Sequence, residues 1–245
     1  MKRKIITFIL VCCIIVLSYA VYSKTRITVG KESISVFART LTYIDPNETD
    51  ISFLNKMKYL EDLEISVLNV QDISPISNCK NLKRLHITGL NEKNLRFLDG
   101  LDDLTDLSIS GGSDISITDL NGLASLGKLE ILKIEHCPIN DISAVADLKK
   151  LKYLVVCYTD IRSVPNLSNL SDLADMTLFY NDDLEDISSI GDPPKLEFIN
   201  LCSTKIENID ALLEIGSLKK VSIDTTDVET NEKFRSKNIE LTVNK

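Results

Sequence analysis

A short apolar pattern returns at a nearly constant interval along most of this chain. The pattern is a Leu followed, three and five residues later, by further apolar residues. It starts at eight positions, which are spaced by 22, 22, 25, 22, 22, 23 and 22 residues. The eight starts are Leu60, Leu82, Leu104, Leu129, Leu151, Leu173, Leu196 and Leu218. This self-similarity predicts a repeat architecture, because a unit of about 22 residues is too short to bury its own apolar face and must stack on its neighbours.

The composition agrees with a regular, repeated core. Of 245 residues, 34 are Leu and 29 are Ile, whereas Trp is absent and aromatic residues make up 6%. The hydrophobic share of 44% is too high for a disordered chain, and Gly and Pro are too few for a collagen-like one. We therefore expect one folded solenoid.

Two periodicities alternate within each unit. Leu132 and Ile134 are separated by one polar residue, as in a short strand with one buried face. The apolar residues that follow recur about every third residue, as in a tight 3₁₀-like arc. In the best-kept unit these are Ile139, Ile142, Val145 and Leu148. A half-kept copy precedes the eight units, at Leu41, Tyr43, Ile51, Leu54 and Met57.

These units resemble the leucine-rich repeat, and the Asp-Ile-Ser at 72–74 and 186–188 is similar to that of the 22-residue internalin-type bacterial subclass. The resemblance covers residues 38–230. It implies an α/β solenoid of horseshoe shape, with a concave parallel β-sheet and a convex side of short 3₁₀ segments and loops. It also implies an inward polar ladder at the ninth position of successive units, formed by Cys137, Thr159, Asn181, Thr204 and Thr226.

The ends of a solenoid need caps, since they would otherwise expose apolar surface. Residues 27–29 and 34–36 read as two strands joined by a turn, which predicts an N-terminal β-hairpin cap. Ile239, Leu241 and Val243 alternate with polar residues and predict a closing C-terminal strand. Local departures, at 110–113 and at Pro193-Pro194, mark loops. We expect a signal peptide or anchor at 1–23, an N-terminal cap with the first partial repeat at 24–59, repeats at 60–230 and a C-terminal cap at 231–245.

The N-terminus has the pattern of an export signal. Three basic residues at 2–4 precede an apolar run over 5–17, and Ser18-Tyr19-Ala20 then offers a cleavage site. The run also extends to Tyr22, which reaches the length of a membrane-spanning helix, so an uncleaved anchor stays open beside a cleaved signal. Both alternatives predict an extracytoplasmic protein, secreted or held at the membrane by this segment.

The charge argues against two classes of partner. The formal net charge is −8, and the first twenty residues contribute three basic groups and no acidic ones. Such a surface repels phosphate backbones and anionic membranes, so we expect no nucleic-acid partner. We expect a monomer that binds a protein.

Sequence motifs of enzymes and metal sites are missing. His86 and His136 lie outside metal-ligand spacing, and no nucleophile elbow, P-loop or zinc-protease motif occurs. The acidic run at 182–186 lacks the alternating oxygen ligands and the Gly of a calcium loop. We therefore predict no metal and no cofactor.

The cysteines are predicted to stay reduced. Beyond the N-terminal segment they are Cys79, Cys137, Cys157 and Cys202. Cys157 and Cys202 share the seventh position of units two coils apart, about 9–10 Å at the spacing of strands, which exceeds disulfide reach.

Positions 3, 5 and 7 of each unit are predicted to point onto the concave face. In the units from Leu60, Leu82 and Leu104 these positions are polar. Position 8 contributes two further tyrosines in the later units. The candidate partner-binding residues there are Ile131, Tyr153, Val155, Tyr158, Phe179, Tyr180 and Phe198. Grouped exposed aromatics are typical of interfaces, although the same residues would also stiffen the sheet by packing against one another.

The resemblance implies a binding function, since internalin-like proteins generally bind protein ligands. We predict a non-enzymatic module whose partner belongs to a host or to the cell's own envelope. Two alternatives remain. One is an envelope enzyme that acts on carbohydrate through carboxylates such as Asp175 or Glu135. The other is a purely structural envelope spacer.

Overall fold

The computed structural model describes residues 25–29, 32–45, 47–112, 117–224 and 228–243. The predicted signal or anchor lies outside this part of the chain. The turn at 30–31, Ser113 of the predicted loop and Thr226 of the predicted ladder also lie outside it.

Ten strands of the described chain form one parallel sheet, in which each unit adds a strand beside the previous one. A separate antiparallel hairpin, β1–β2, precedes the sheet. The strands are β1 Arg26–Val29, β2 Glu32–Ser35, β3 Thr40–Tyr43, β4 Asp62–Ser66, β5 Arg84–Leu90, β6 Asp106–Gly111, β7 Ile131–Glu135, β8 Tyr153–Cys157, β9 Asp175–Thr177, β10 Phe198–Asn200, β11 Lys220–Ile223 and β12 Glu240–Val243. This is the predicted solenoid.

The sheet forms because equivalent residues of successive units are register partners. Leu132 lies between Leu107 and Leu154 in the sheet, and all three are buried. Lys133, one residue along β7, faces outward and is exposed. The period-two pattern therefore separates an apolar column inside the solenoid from the concave surface outside it.

The convex side consists of short 3₁₀ helices, as the three-residue spacing predicts. They are Ser52–Lys56, Ser74–Asn78, Arg96–Leu98, Leu123–Ser125, Ser143–Asp147 and Asp210–Glu214. The Asp-Ile-Ser motif starts three of them, at 50–52, 72–74 and 141–143, because the Asp carboxylate accepts a hydrogen bond from the Ser backbone N–H. The distances are 2.9 Å from Ser74 to Asp72 and 2.7 Å from Ser143 to Asp141. Hydrogen bonds from Ser74 hold the pKa of Asp72 below its ordinary value.

Both predicted caps are present, and the C-terminal one contains a helix that the periodicity did not predict. This helix, α1, spans Val228–Ser236 and leads into β12. Its C-terminus is a Schellman turn, in which Asn238 adopts φ +59° and the Ile239 N–H donates to the Phe234 carbonyl at 3.0 Å. Phe234 and Ile239 are both buried and close the apolar end of the solenoid.

None of the helices in the described part of the chain is long and apolar enough to cross a membrane.

The cysteines of the described residues form no disulfide and are buried. The seventh position is therefore not exposed throughout, contrary to the expectation for Cys157 and Cys202. Burial raises the pKa of Cys79 and Cys137 from 9.0 to about 11 and that of Cys157 to about 12.

We expect the protein to lose stability above pH 9. The unfolded chain releases its thiol protons near pH 9, whereas the folded chain retains them until about pH 11, so rising pH favours unfolding between these values. Each thiol whose pKa rises this far contributes a loss on the order of 2–3 kcal/mol. Urea unfolding at pH 8, 9, 10 and 11 measures the slope. The triple variant with Ala at 79, 137 and 157 starts less stable but has a shallower slope, and equal slopes would contradict the assignment.

Candidate binding surface on the concave sheet

The N-terminal half of the concave face is polar, and several of its ionisable side chains lie close together across neighbouring strands. Arg84 lies 2.6 Å from the Asp62 carboxylate, and the His86 ring lies 3.7 Å from Glu64. These pairs follow from the register, which places Asp62 beside Arg84 and Glu64 beside His86. They line a shallow groove of about 470 Å³.

The C-terminal half carries the candidate residues, all of which are at least partly exposed. Tyr153, Tyr158 and Tyr180 expose 46%, 42% and 45% of their surface. The remaining four, Ile131, Val155, Phe179 and Phe198, are half-buried. The structure thus places an apolar, tyrosine-rich surface on half of the sheet face, beside the paired charges of the other half.

The candidate residues separate into two groups. Tyr158 and Tyr180 stack with ring centroids 4.8 Å apart, and Phe179 contacts both rings at 5.8 and 4.9 Å. This stacked group lies where the strands end. The second group, Ile131, Tyr153, Val155 and Phe198, lies on the strands themselves at positions 3 and 5.

His136 extends the stacked group and was not among the predicted residues. Its ring lies 4.3 Å from Tyr158 and nearly parallel to it. The signal was available in the sequence, because His136 stands 22 residues before Tyr158, as Tyr158 stands before Tyr180. The sequence interpretation considered His136 only as a metal ligand, so it did not include His136 in this shared position.

A repeated backbone conformation sets the orientation of the stack. His136, Tyr158, Tyr180 and Ser203 have φ between +54° and +56°, a region that non-glycine residues rarely adopt. The Tyr158 N–H donates to the Tyr180 carbonyl at 3.0 Å, and the Tyr180 N–H donates to the Cys202 carbonyl at 3.1 Å. Successive left-handed residues therefore hold these rings in one column. The pKa of Tyr158 is raised, chiefly because its hydroxyl loses hydration in this column.

The predicted inward ladder supports the column from behind. Asn181 is fully buried, and its amide Nδ2 donates to the carbonyls of Val156 and Leu178, both at 2.8 Å. Its Oδ1 accepts from the Thr159 N–H at 3.0 Å and from the Thr159 hydroxyl at 2.7 Å. The Thr204 hydroxyl donates to Leu201 at 2.8 Å. The bonds of Asn181 to Val156 and Thr159 tie the turns that carry Tyr158 and Tyr180.

The two carboxylates considered for carbohydrate hydrolysis are far apart. Glu135 is at position 7 of its unit and lies on β7. Asp175 is at position 3 of its unit and lies on β9, two strands away. From about 4.8 Å per strand and 3.3 Å per residue, their backbone positions are roughly 16 Å apart. Paired carboxylates in glycosidases stand about 5–9.5 Å apart. This geometry does not favour the enzymatic alternative.

No protein-family profile matches the sequence, and no curated protein matches it at a significant level. Comparison of structures does find similar proteins. Internalin C2 of Listeria monocytogenes has 24% identity and a TM-score of 0.68, over 80% of this chain and 87% of internalin C2. Internalin F of the same species has 19% identity and a TM-score of 0.62, over 91% of this chain and 72% of internalin F.

A third similar structure is the plant peptide hormone receptor RGFR1 in complex with RGF2. It has 13% identity and a TM-score of 0.55, over 77% of this chain and 32% of the receptor. At these identities the comparisons establish the fold. They confirm the leucine-rich-repeat solenoid of internalin type that the repeat predicted.

Proposed function

We propose that this protein is an exported, non-enzymatic leucine-rich-repeat module that binds a protein partner through the C-terminal half of its concave face. The observation that carries the proposal is the tyrosine-rich surface on β7 to β10 and the turns that follow them. Tyr153, Tyr158 and Tyr180 remain more than 40% exposed. Exposed aromatics grouped on one face are typical of binding hot spots.

The packing observed among these residues accounts for only part of the surface. Tyr158, Phe179 and Tyr180 do stiffen one another by stacking. Tyr153 and Phe198 contact no other ring in the described chain, so ring stacking does not account for their aromatic character. The structural similarity to a peptide hormone receptor in complex with its ligand adds support for a role in binding.

Export is proposed from the N-terminal sequence, with its basic residues, apolar run and Ser18-Tyr19-Ala20. N-terminal sequencing of the protein recovered from its own cell tests the two alternatives. A first residue near 21 indicates cleavage, whereas an intact N-terminus in the membrane fraction indicates an anchor. Recovery of the intact chain in the cytoplasm would contradict export.

Replacing Tyr153 and Phe179 with Ser is expected to weaken partner binding at least thirtyfold, because loss of aromatic hot spots costs about 2 kcal/mol or more. The purified protein is immobilised and exposed separately to host-surface and envelope extracts. Retained proteins are quantified by mass spectrometry, and the thermal midpoint is measured in parallel. The extract that supplies the retained protein distinguishes a host partner from an envelope partner.

The matched control replaces Glu64 and His86 with Ser, which changes one half-buried and one exposed residue of the same sheet face within the polar half. The proposal expects a protein retained by the wild type and by this control, and lost with the aromatic double variant. Reduced stability with unaltered binding would assign the aromatics to sheet packing. Failure to retain any protein would favour the structural spacer.

A further inference from the structure

Tyr153, Asp175 and Phe198 occupy the same position on three adjacent strands. In the sheet register, Asp175 lies beside Tyr153 on one side and beside Phe198 on the other. Their strand neighbours Met176 and Ile199 are buried, so the three side chains point onto the concave face. At about 4.8 Å per strand, the two aromatic residues stand roughly 10 Å apart at the backbone, with a carboxylate between them.

The ring faces of this triad are unoccupied by other rings. Tyr158, Phe179, Tyr180 and His136 stack among themselves. Within the part of the chain that the structure describes, neither Tyr153 nor Phe198 contacts another ring. A flat group held between two rings needs about 7 Å between the ring planes, which fits within the roughly 10 Å between the two backbone positions.

Asp175 also lacks the cation that two carboxylates at the same position of other strands have. On the same position, Asp62 lies 2.6 Å from Arg84 and Glu240 lies 3.2 Å from Lys220. Among the described residues, Asp175 has no ion pair. Burial, with the Glu197 carboxylate nearby, raises the pKa of Asp175. A partly buried carboxylate between two rings is therefore an unneutralised charge on an otherwise apolar part of the surface.

The surrounding cations do not neutralise Asp175. Lys220, beside Phe198 in the register, pairs with Glu240. Lys133, two strands away on β7, acts on Asp106, where it opposes the effect of burial on the pKa. Asp106 occupies the third position of its unit as Asp175 does, and it also has no ion pair among the described residues. Burial raises the pKa of Asp106 as well, but the charges of Lys133 and Arg84 act against this effect. The two carboxylates therefore form a matched pair that differs in the presence of cations and rings.

We propose that Tyr153, Asp175 and Phe198 form a slot that takes an arginine side chain of the protein partner. The guanidinium lies between the two rings and pairs with the Asp175 carboxylate. This inference rests on the proposed function and specifies the chemistry of the partner. Arginine fits better than lysine, because the guanidinium is planar, weakly hydrated, able to stack on aromatic faces and able to bind a carboxylate with two parallel hydrogen bonds.

The test uses acetyl-arginine-amide as the probe and the purified protein labelled with ¹⁵N. Saturable changes in amide chemical shift are expected for β8, β9 and β10. Acetyl-citrulline-amide, which has nearly the same shape without the charge, is expected to bind at least tenfold more weakly. Asp175→Asn is expected to weaken arginine binding at least tenfold with an unchanged thermal midpoint, whereas the matched control Asp106→Asn leaves it unchanged.

Three outcomes would overturn the slot: equal affinity for the citrulline or lysine amide, an unaltered affinity of Asp175→Asn, or shifts confined to the N-terminal half. Retention of the protein partner on the immobilised variants shows whether the arginine slot alone is wrong or the proposed binding function as well. Retention that survives Asp175→Asn but is lost with Tyr153→Ser and Phe179→Ser would overturn the slot and leave the function intact. If neither Asp175→Asn nor the aromatic double variant changed retention of the partner, both the arginine slot and the proposed function would be wrong.

Discussion

Replacing Phe234 with Ala is expected to lower the free energy of unfolding by about 3–5 kcal/mol, the range found when a buried aromatic is truncated. Phe234 is fully buried where α1 closes the last unit of the solenoid. Its carbonyl also accepts the Ile239 N–H that ends the helix, so the truncation leaves a cavity beneath this turn. Urea unfolding followed by circular dichroism measures the loss.

The position of the loss is as informative as its size. Solenoid stability is approximately a sum of contacts between neighbouring units, so damage to a cap first exposes the unit beside it. Hydrogen exchange should therefore lose protection in β11 and β12 while β5 to β7 keep theirs. Phe37→Ala is the matched control, because Phe37 is mostly exposed and contacts Tyr59 alone among the rings of the described chain. Comparable losses from the two variants would contradict the role of Phe234 as a cap.

Replacing Asn181 with Ala is expected to lower the free energy of unfolding by about 3 kcal/mol. The change removes the partner of two buried carbonyls, of Val156 and Leu178, and of the Thr159 N–H. Each buried polar group left without a partner costs about 1–3 kcal/mol, and water entering the space offsets part of this. Equilibrium unfolding in urea again gives the value. The stacking of Tyr158 on Tyr180 should loosen as well, because their turns lose their link.

The matched control is Asn208→Ala. The Asn208 side chain is exposed and accepts one hydrogen bond, from the Asp210 N–H at 2.8 Å, so the expected loss is below about 1 kcal/mol. Comparing the two Asn→Ala variants therefore distinguishes the loss of a buried hydrogen-bond network from the loss of one hydrogen bond in a surface turn. If both variants lost the same stability, the buried amide would not be the link between successive turns.

Much of the fold was predictable because a repeat gives the same information eight times. The spacing of Leu129, Leu132 and Ile134, returning in each unit, predicted the strands, their parallel order and the residues that are buried. The Asp-Ile-Ser motif coincides with the start of three convex 3₁₀ helices, at Ser52, Ser74 and Ser143. By contrast, α1 occurs once, after the last unit, where no second copy reinforces its weak pattern.

The candidate surface was only partly predictable. Alternation placed Tyr153 and Phe198 on the concave face, as the structure does. The sequence assigned Tyr158 and Tyr180 to position 8 but included them in the same candidate surface, whereas their left-handed backbone places them in a different column. It also assigned Cys157 to the open face, whereas neighbouring units bury it. These differences depend on contacts between units, which a pattern within one unit does not contain.

The sequence by itself determined the solenoid, its sheet and the half of its concave face that carries the aromatics. These follow from periods of two, three and 22 residues, because local periodicity decides which face of each element is apolar. Only the tertiary structure decided how the rings stack, which cysteines are covered and which carboxylates form ion pairs. The reason is that each depends on distances between side chains of adjacent coils, and Asp62 and Asp175 hold equivalent places in the repeat while only Asp62 has an arginine beside it.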